Sequence, residues 1–334
     1  MKKLLVLIAA VFALLSFGIS CATSSQTPAD TPDQTPAQTP PAAPPQTPPP
    51  AAQTPSQPEP RPASAPPDAS ENTGITSIRV GQFNVQMLVD AERDGDAGII
   101  PGASSAIKNR YIPASGFKHS TNACLIRTPS GQNVLVDSGF GNTIFEKMDK
   151  LGVKPDQIDI ILLTHLHGDH IGGLHKDGRA LFPKAKIYLD SAELNHFTRV
   201  APNQAAISAL NAYAGNVITF EALPLSFLFK EILPGIRAIA SHWHTPGHTA
   251  YLLVSGMERL LIAGDFLHVA YVQFPHPEIS ATYDMDQNEA ANSRVLLMEY
   301  AAAHRIPIGG MHIPYPGVGN VEADGDGYRF IPLK

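Results

Sequence analysis

Cysteine is nearly missing from this chain. Cys21 and Cys124 are the only two in 334 residues, which excludes a disulfide framework. Cys124 stands in the apolar stretch Ala123-Cys124-Leu125-Ile126 and reads as a buried, inert thiol rather than a nucleophile. Basic runs are missing too. None extends beyond Lys2-Lys3, and the net charge is −6 with a pI of about 6.1. Neither nucleic acid nor an anionic lipid surface is therefore expected as the main partner. The one long apolar run at the start, Leu4 to Phe17 after Met1-Lys2-Lys3, has the make-up of a secretory signal rather than a membrane-spanning helix.

From Ala22 to about Ser70 the chain lacks aromatic residues and almost every large apolar one. Pro, Ala, Thr, Gln and Ser fill it, with repeated Gln-Thr-Pro. Such a segment cannot offset the entropy lost on ordering, and its proline favours extended polyproline II at about 3.1 Å per residue. A semi-rigid tether is the expectation. A proline-rich ligand for a partner domain is the alternative, weakened by the single basic residue Arg61. The signal ends Gly18-Ile19-Ser20-Cys21, which resembles a bacterial lipoprotein processing site; ordinary cleavage near Ser20 or Ala22 is the alternative. The expected organisation is a signal peptide over 1–20, a disordered linker over 21–74 and a folded domain over 75–334. With Cys21 lipidated, the protein would be exported and anchored to a bacterial envelope membrane, periplasmic or on the outer face.

What is present is chemistry at strand ends. Thr164-His165-Leu166-His167-Gly168-Asp169-His170 follows the apolar run Ile158-Asp159-Ile160-Ile161-Leu162-Leu163. Residues two apart on a strand share a face, so His165 and His167 can grip one ion. A turn into helix at Gly168 would send Asp169 and His170 towards a second. Imidazole and carboxylate at this density suit zinc or a similar divalent metal. Three later strand ends repeat the arrangement: Thr245-Pro246-Gly247-His248-Thr249, Leu260 to Asp265, and Ile306 to His312. Small residues beside each let the backbone come close to a metal.

These segments, with Asn133 to Gly139 upstream, resemble the metallo-β-lactamase-fold hydrolases over roughly residues 78–334. Ser120-Thr121-Asn122-Ala123, Gly264 to Pro275 and the ending Gly327 to Pro332 resemble the branch of methyl-parathion hydrolases and quorum-quenching lactonases. The resemblance implies an α/β fold, an αββα sandwich of two β-sheets face to face with helices outside. It also implies two divalent metal ions, zinc by expectation. One would be held by His165, His167 and His248, the other by Asp169, His170 and His312, with Asp265 bridging. Strands are expected at 78–89, 122–127, 133–137, 158–164, 186–189, 217–220, 236–241, 250–255, 259–264 and 306–309. Helices are expected at 142–151, 169–175, 191–198, 203–213 and 286–304.

Two ions of this kind acidify a bridging water, and the resulting hydroxide attacks a carbonyl or phosphoryl centre. The expected function is hydrolysis of a lactone or activated ester, with organophosphate triesters as a further or promiscuous activity. Asp169, Asp265 and His268 are the expected catalytic residues. His268 stands where some lactonases carry a tyrosine three residues after the bridging acid. A glyoxalase-II-like thioesterase, a β-lactam hydrolase and a non-catalytic, metal-bound envelope module are the alternatives; Asp265 argues against the β-lactam reading. The expected partners are a small-molecule substrate, the membrane through Cys21, and a second copy of the chain. His242 and His244, if the chain is extended around Trp243, face away from it and read as loop or core packing. His119, His196, His276 and His304 have no ligand-like context, and His175 reads as helix surface. Phe117, Trp243, Tyr271 and Phe274 are candidate walls of an apolar pocket, each equally suited to the core.

Overall fold

The computed structural model describes residues 73–227 and 230–333. Cys21, the expected signal peptide and residues 21–72 of the expected linker lie outside the described residues. Among the described residues no helix is long and apolar enough to cross a membrane.

Two large sheets are built from these residues. In the first, β1 (Ile75–Val80), β2 (Phe83–Asp94), β3 (Lys118–Arg127) and β4 (Asn133–Val136) pair antiparallel in that order. β5 (Ile160–Leu162) then joins β4 in parallel. A separate small hairpin, β6 (His175–Lys176) and β7 (Arg179–Ala180), intervenes before β8 (Lys186–Asp190) and β9 (Val217–Phe220) extend the sheet, also in parallel. The second sheet runs β10 (Ile236–Ala240), β11 (Thr249–Ser255), β12 (Glu258–Ile262), β13 (Ile308–Gly309), β14 (Val318–Asp324) and β15 (Gly327–Pro332). Its β12–β13 pair alone is parallel.

Strand alternation places the core. Val134 and Val136, Ile160 and Leu162 face inward against Tyr251, Leu253, Leu260 and Ile262 of the other sheet. Their neighbours Leu135, Ile161 and Leu163 face outward, as a period of two requires. That outer face is covered by α2 (Ile144–Lys150) and α5 (Gln204–Asn211) through Ile144, Met148, Ala206, Ala209 and Leu210. On the far side Leu297, Met298 and Ala301 of α7 (Gln287–His304) cover Ile239, Leu252 and Leu261. The layers are helix, sheet, sheet, helix, as expected.

Several boundaries differ from expectation for physical reasons. The expected strand 78–89 is two strands, because Gly81 at φ +55° turns the chain and pairs Val80 with Phe83. The expected helix 169–175 is the single turn α3 (Gly168–Ile171). There Gly172 and Gly173 sit so close to Phe140 and Ser138 that a Cβ on either would lie 2.8 and 2.5 Å from their backbones. The expected helix 191–198 becomes α4 (Ser191–Asn195) followed by a π turn, His196–Val200. Two short helices, α1 (Ser105–Tyr111) and α6 (Ala270–Gln273), and the β14–β15 hairpin go beyond the expected elements.

Candidate metal centre

One carboxylate organises the centre. Asp265, three residues beyond β12 and buried, has five imidazole nitrogens around it. The Nε2 atoms of His312, His170, His244, His268 and His165 lie 3.0, 3.2, 3.4, 3.4 and 3.7 Å from its oxygens. His165 and His167 follow β5, with His165 Nε2 3.0 Å from His167 Nδ1. Asp169 and His170 belong to α3, and His312 follows β13. His312 Nε2 lies 3.4 Å from Asp169 Oδ2. The contributors come from the segments that follow β5, β10, β12 and β13.

Two histidines exchange places relative to expectation. His248 does not join the cluster: its Nε2 accepts the Asp265 N–H at 2.9 Å, and its Nδ1 lies 2.6 Å from Ser241 Oγ and 2.8 Å from Ser241 O. Both ring nitrogens are committed. The place beside His165 and His167 belongs to His244, whose Nε2 lies 3.1 Å from His167 Nδ1. The cause is backbone conformation. Trp243 has φ +90°, a costly region for a bulky residue, so the chain is not extended there. This turn, closed by Trp243 N–H to Thr245 O at 2.7 Å, carries His244 inward. Gly264, at φ +58°, brings the chain onto His248, where a Cβ would lie 2.4 Å from Nε2. The signal for His244 was its spacing: a histidine stands at each end of His244-Thr245-Pro246-Gly247-His248, and only the fold distinguishes them.

The rings are oriented from behind. His170 Nδ1 lies 2.8 Å from Asp137 Oδ2, and Asp137 also accepts the Thr164 N–H and hydroxyl at 2.8 and 2.7 Å. His312 Nδ1 donates to Ser120 O at 2.7 Å. His244 Nδ1 lies 2.9 Å from Asp284 Oδ1, whose other oxygen accepts from the buried Arg294 at 3.0 Å. Arg294 Nη1 also donates to Pro277 O and Ile279 O at 2.7 and 3.1 Å, and its Nε donates to Phe266 O, two residues before His268. Such outer partners fix the ring orientation of a ligating histidine. Asp90 does the same for the loop after Asp137. It is the extra residue of a bulge between Val89 and Ala91, and it accepts the N–H groups of Phe140, Gly141, Thr143 and Ile144.

These residues suit divalent cations. His170 Nε2 and Asp265 Oδ1 are buried without a hydrogen-bond partner and lie 3.2 Å apart; burial disfavours charge on the His170 ring, but Asp265, Asp169 and Asp137 together raise it well above the ordinary imidazole value. Burial holds His167 down to about 3, with His244 adding to the effect, and leaves the ring neutral. Burial opposes ionisation of Asp265, but His170, His312 and His165 outweigh it and hold that carboxyl well below its ordinary value. Of four groupings among the described residues that could hold a cation, His165, His167 and His244 share no residue with Asp169, His170 and His312; the other two, His165 with His170 and His244 with His268, both include Asp265. His268 is buried, with its Nδ1 unpartnered. Burial lowers it to about 4 against the pull of Asp265, so it is a neutral ring with one N–H to give.

The remaining candidates separate clearly. His119 is buried with its ring 4.5 Å from that of His312, a proximity its sequence context did not signal. His175 lies on β6, not on a helix. Phe274 stacks on Phe330 in the core. Phe117 and Tyr271 meet edge to face at 6.1 Å. Trp243 is 42% exposed beside His244, and Tyr283 is 43% exposed with its ring 5.3 Å from that of His268.

The model of the metallo-β-lactamase superfamily matches residues 116–310. Among solved structures, AbOPH, a hydrolase in the beta lactamase superfamily, superposes with a TM-score of 0.69 at 27% identity, over 78% of this chain and 98% of that one. AidC, a dizinc quorum-quenching lactonase, gives 0.70 at 23% identity over the same shares, a likeness of fold. A hydroxyacylglutathione hydrolase of Xylella fastidiosa is 32% identical over 158 residues, 47% of this chain and 49% of that enzyme. A ribonuclease Z of Agathobacter rectalis is 36% identical over 80 residues, 24% of this chain and 21% of the enzyme. The chain thus spans a fifth to a half of these two curated relatives.

Proposed function

The chain belongs to the metallo-β-lactamase superfamily, and from that premise we propose that it is a dinuclear-metal hydrolase acting on a lactone or activated ester. The observation that carries this reading is the placing of Asp265 among five imidazoles. His165, His167 and His244 would hold one cation, and Asp169, His170 and His312 the other, with Asp265 shared. Bound there, the cations, zinc by preference, would supply Lewis acidity, lowering the pKa of water and polarising the scissile bond.

The chain's own residues do the rest. Asp137, Asp284 and Ser120 O fix which nitrogen of His170, His244 and His312 faces the centre. Asp169, 24% exposed at its side chain, lies on the open side, where an attacking water can be oriented. His268, neutral and beside Asp265, is placed to donate a hydrogen bond to the departing oxygen. Trp243 and Tyr283 offer exposed apolar surface beside His244 and His268, suited to the uncharged part of an ester. The likeness to the hydrolase AbOPH supports hydrolysis, and a lactone substrate accords with the fold shared with the lactonase AidC; organophosphate triesters are proposed as a further activity.

A thioesterase is the second reading, favoured by the 158-residue match to hydroxyacylglutathione hydrolase. The net charge of −6 disfavours an RNA substrate despite the short ribonuclease Z match. The deciding experiment is a substrate panel on protein of measured metal content: acyl-homoserine lactone, aryl ester, paraoxon-type triester, thioester and cephalosporin. Two metals per chain and preference for lactone or aryl ester support the proposal. Preference for the glutathione thioester transfers it to the second reading, and no turnover with metal bound leaves a binding module. Export and lipid anchoring at Cys21 complete the proposal, supported by the Met1 to Cys21 pattern and the spacer that follows. Cys21→Ser should then move the protein from the membrane to the soluble fraction.

A further inference from the structure

Besides the direct bond from Thr249 N–H to Thr164 O at 2.9 Å, the two histidine-bearing loops are joined through a group that lies on neither of them. Glu193 sits in α4 and is fully buried. Its Oε1 accepts the N–H of Leu166 at 2.8 Å, the residue between His165 and His167. Its Oε2 accepts the Thr245 hydroxyl at 2.7 Å and the Gly247 N–H at 3.0 Å, within the turn between His244 and His248. One carboxylate therefore ties the loop after β5, in the first sheet, to the loop before β11, in the second.

Packing reinforces the tie. A Cβ on Gly247 would lie 2.2 Å from Glu193 N and 2.6 Å from its Cβ, so the turn rests directly on α4 and only glycine fits. The helix is itself anchored. Asp190 accepts the Ala192 N–H at 2.6 Å through one oxygen and the Ala222 N–H at 2.7 Å through the other. Position is thus passed from the ends of β8 and β9 through α4 to both loops.

We infer that Glu193 is a positioning residue that sets the distance between His244 and the His165–His167 pair, and with it the affinity of that half of the centre for its cation. This rests on the two-cation reading above. Ligand distances are tolerated only within about 0.2 Å, and loss of an outer partner typically weakens metal binding about 10–100-fold. Asp169, His170 and His312 receive no bond from Glu193, so the second cation should be held as before.

Glu193→Gln keeps the shape but turns one oxygen into a donor, which must oppose either the Leu166 amide or the Gly247 amide and so breaks one arm of the tie. Glu193→Ala breaks both. Competitive chelator titration with zinc, and the absorption spectrum of the cobalt-loaded protein, should show one cation weakened about 10–100-fold. The order should be wild type, Gln, then Ala, with the other cation unchanged. In metal-free protein, hydrogen exchange at the Leu166 and Gly247 amides should accelerate together in the Ala variant. If Ala does not fold, the Gln variant carries the same comparison, with one of the two amides accelerated. Unchanged exchange, or equal weakening of both cations, overturns the inference. Wild-type protein that takes up no cation would sink the proposed function instead, and exchange at the two amides would still decide the tie.

Discussion

His248 and Asp265 meet through a ring nitrogen and a main-chain amide, Nε2 to N–H at 2.9 Å. His244, four residues earlier, instead turns its Nε2 towards His167 and the Asp265 carboxylate. Substitution should separate the two histidines. His244→Ala should lose one equivalent of metal by elemental analysis, an effect beyond the roughly 10–100-fold of an outer partner. His248→Ala should keep both metals at weakened affinity and lose about 1–3 kcal/mol in urea denaturation, the cost of an orphaned buried amide. Equal metal loss in both would contradict the exchange of roles.

Asp284 serves His244 on one side and Arg294 on the other. Asp284→Ala leaves a buried guanidinium without its counter-charge, so a loss of about 3–5 kcal/mol is expected by denaturant titration. Asp284→Asn should be milder in stability and still weaken metal binding about 10–100-fold. A variant that binds metal as tightly as wild type would show that His244 needs no orienting partner.

Gly264 and Gly256 provide a matched pair. Both have positive φ, +58° and +62°, but a Cβ on Gly264 meets His248 while one on Gly256 meets nothing within 4 Å. Gly256→Ala should cost only the left-handed backbone, about 1–2 kcal/mol. Gly264→Ala should cost more and reduce metal content as well. Thermal unfolding and elemental analysis of the two variants isolate the contact.

Chelation should abolish hydrolysis, and zinc should restore it. Metals that bind only the folded state would stabilise it by about 2.7 kcal/mol per site at a free metal concentration about 100 times the Kd. Calorimetry before and after dialysis against chelator should show a corresponding fall in Tm. An unchanged Tm would argue against occupancy at this centre.

Cys124 should be inert. Burial, aided by Asp137, pushes its thiol well above the ordinary range, so raising the pH to 9 should not produce thiolate in the native state. A thiol reagent followed by peptide mapping should label Cys124 only in denaturant. Labelling in the folded protein would show that β3 opens.

The contiguous part of the centre was legible because its geometry is local. His165, His167, Asp169 and His170 lie within six residues, and a strand followed by a turn of helix is enough to converge them. His244 was hidden by the positive φ of Trp243, a conformation that no propensity favours for tryptophan. The two-sheet layering followed from the resemblance, whereas apolar alternation alone indicated mixed α/β. In α7 Leu296 is 54% exposed, and the buried stripe is Ala290, Arg294, Leu297, Met298 and Ala301. A buried arginine in that stripe disguised its period. The β14–β15 hairpin was readable from the two-residue Gly325-Asp326 loop, but its polar residues Glu322 and Asp324 obscured the alternation.

Asn122 donates its side-chain amide to Gly310 O at 2.9 Å and Ile313 O at 2.8 Å, stitching β3 to the loop that bears His312. The centre is therefore assembled across a seam between residues nearly 190 positions apart in sequence. During synthesis His165, His167, Asp169 and His170 leave the ribosome long before His312 does, and the proposed cage would be complete only when the last third of the chain arrives. On the proposed two-cation reading, metal capture would then be a late step, and a product truncated before His312 would lack one ligand of the second cation.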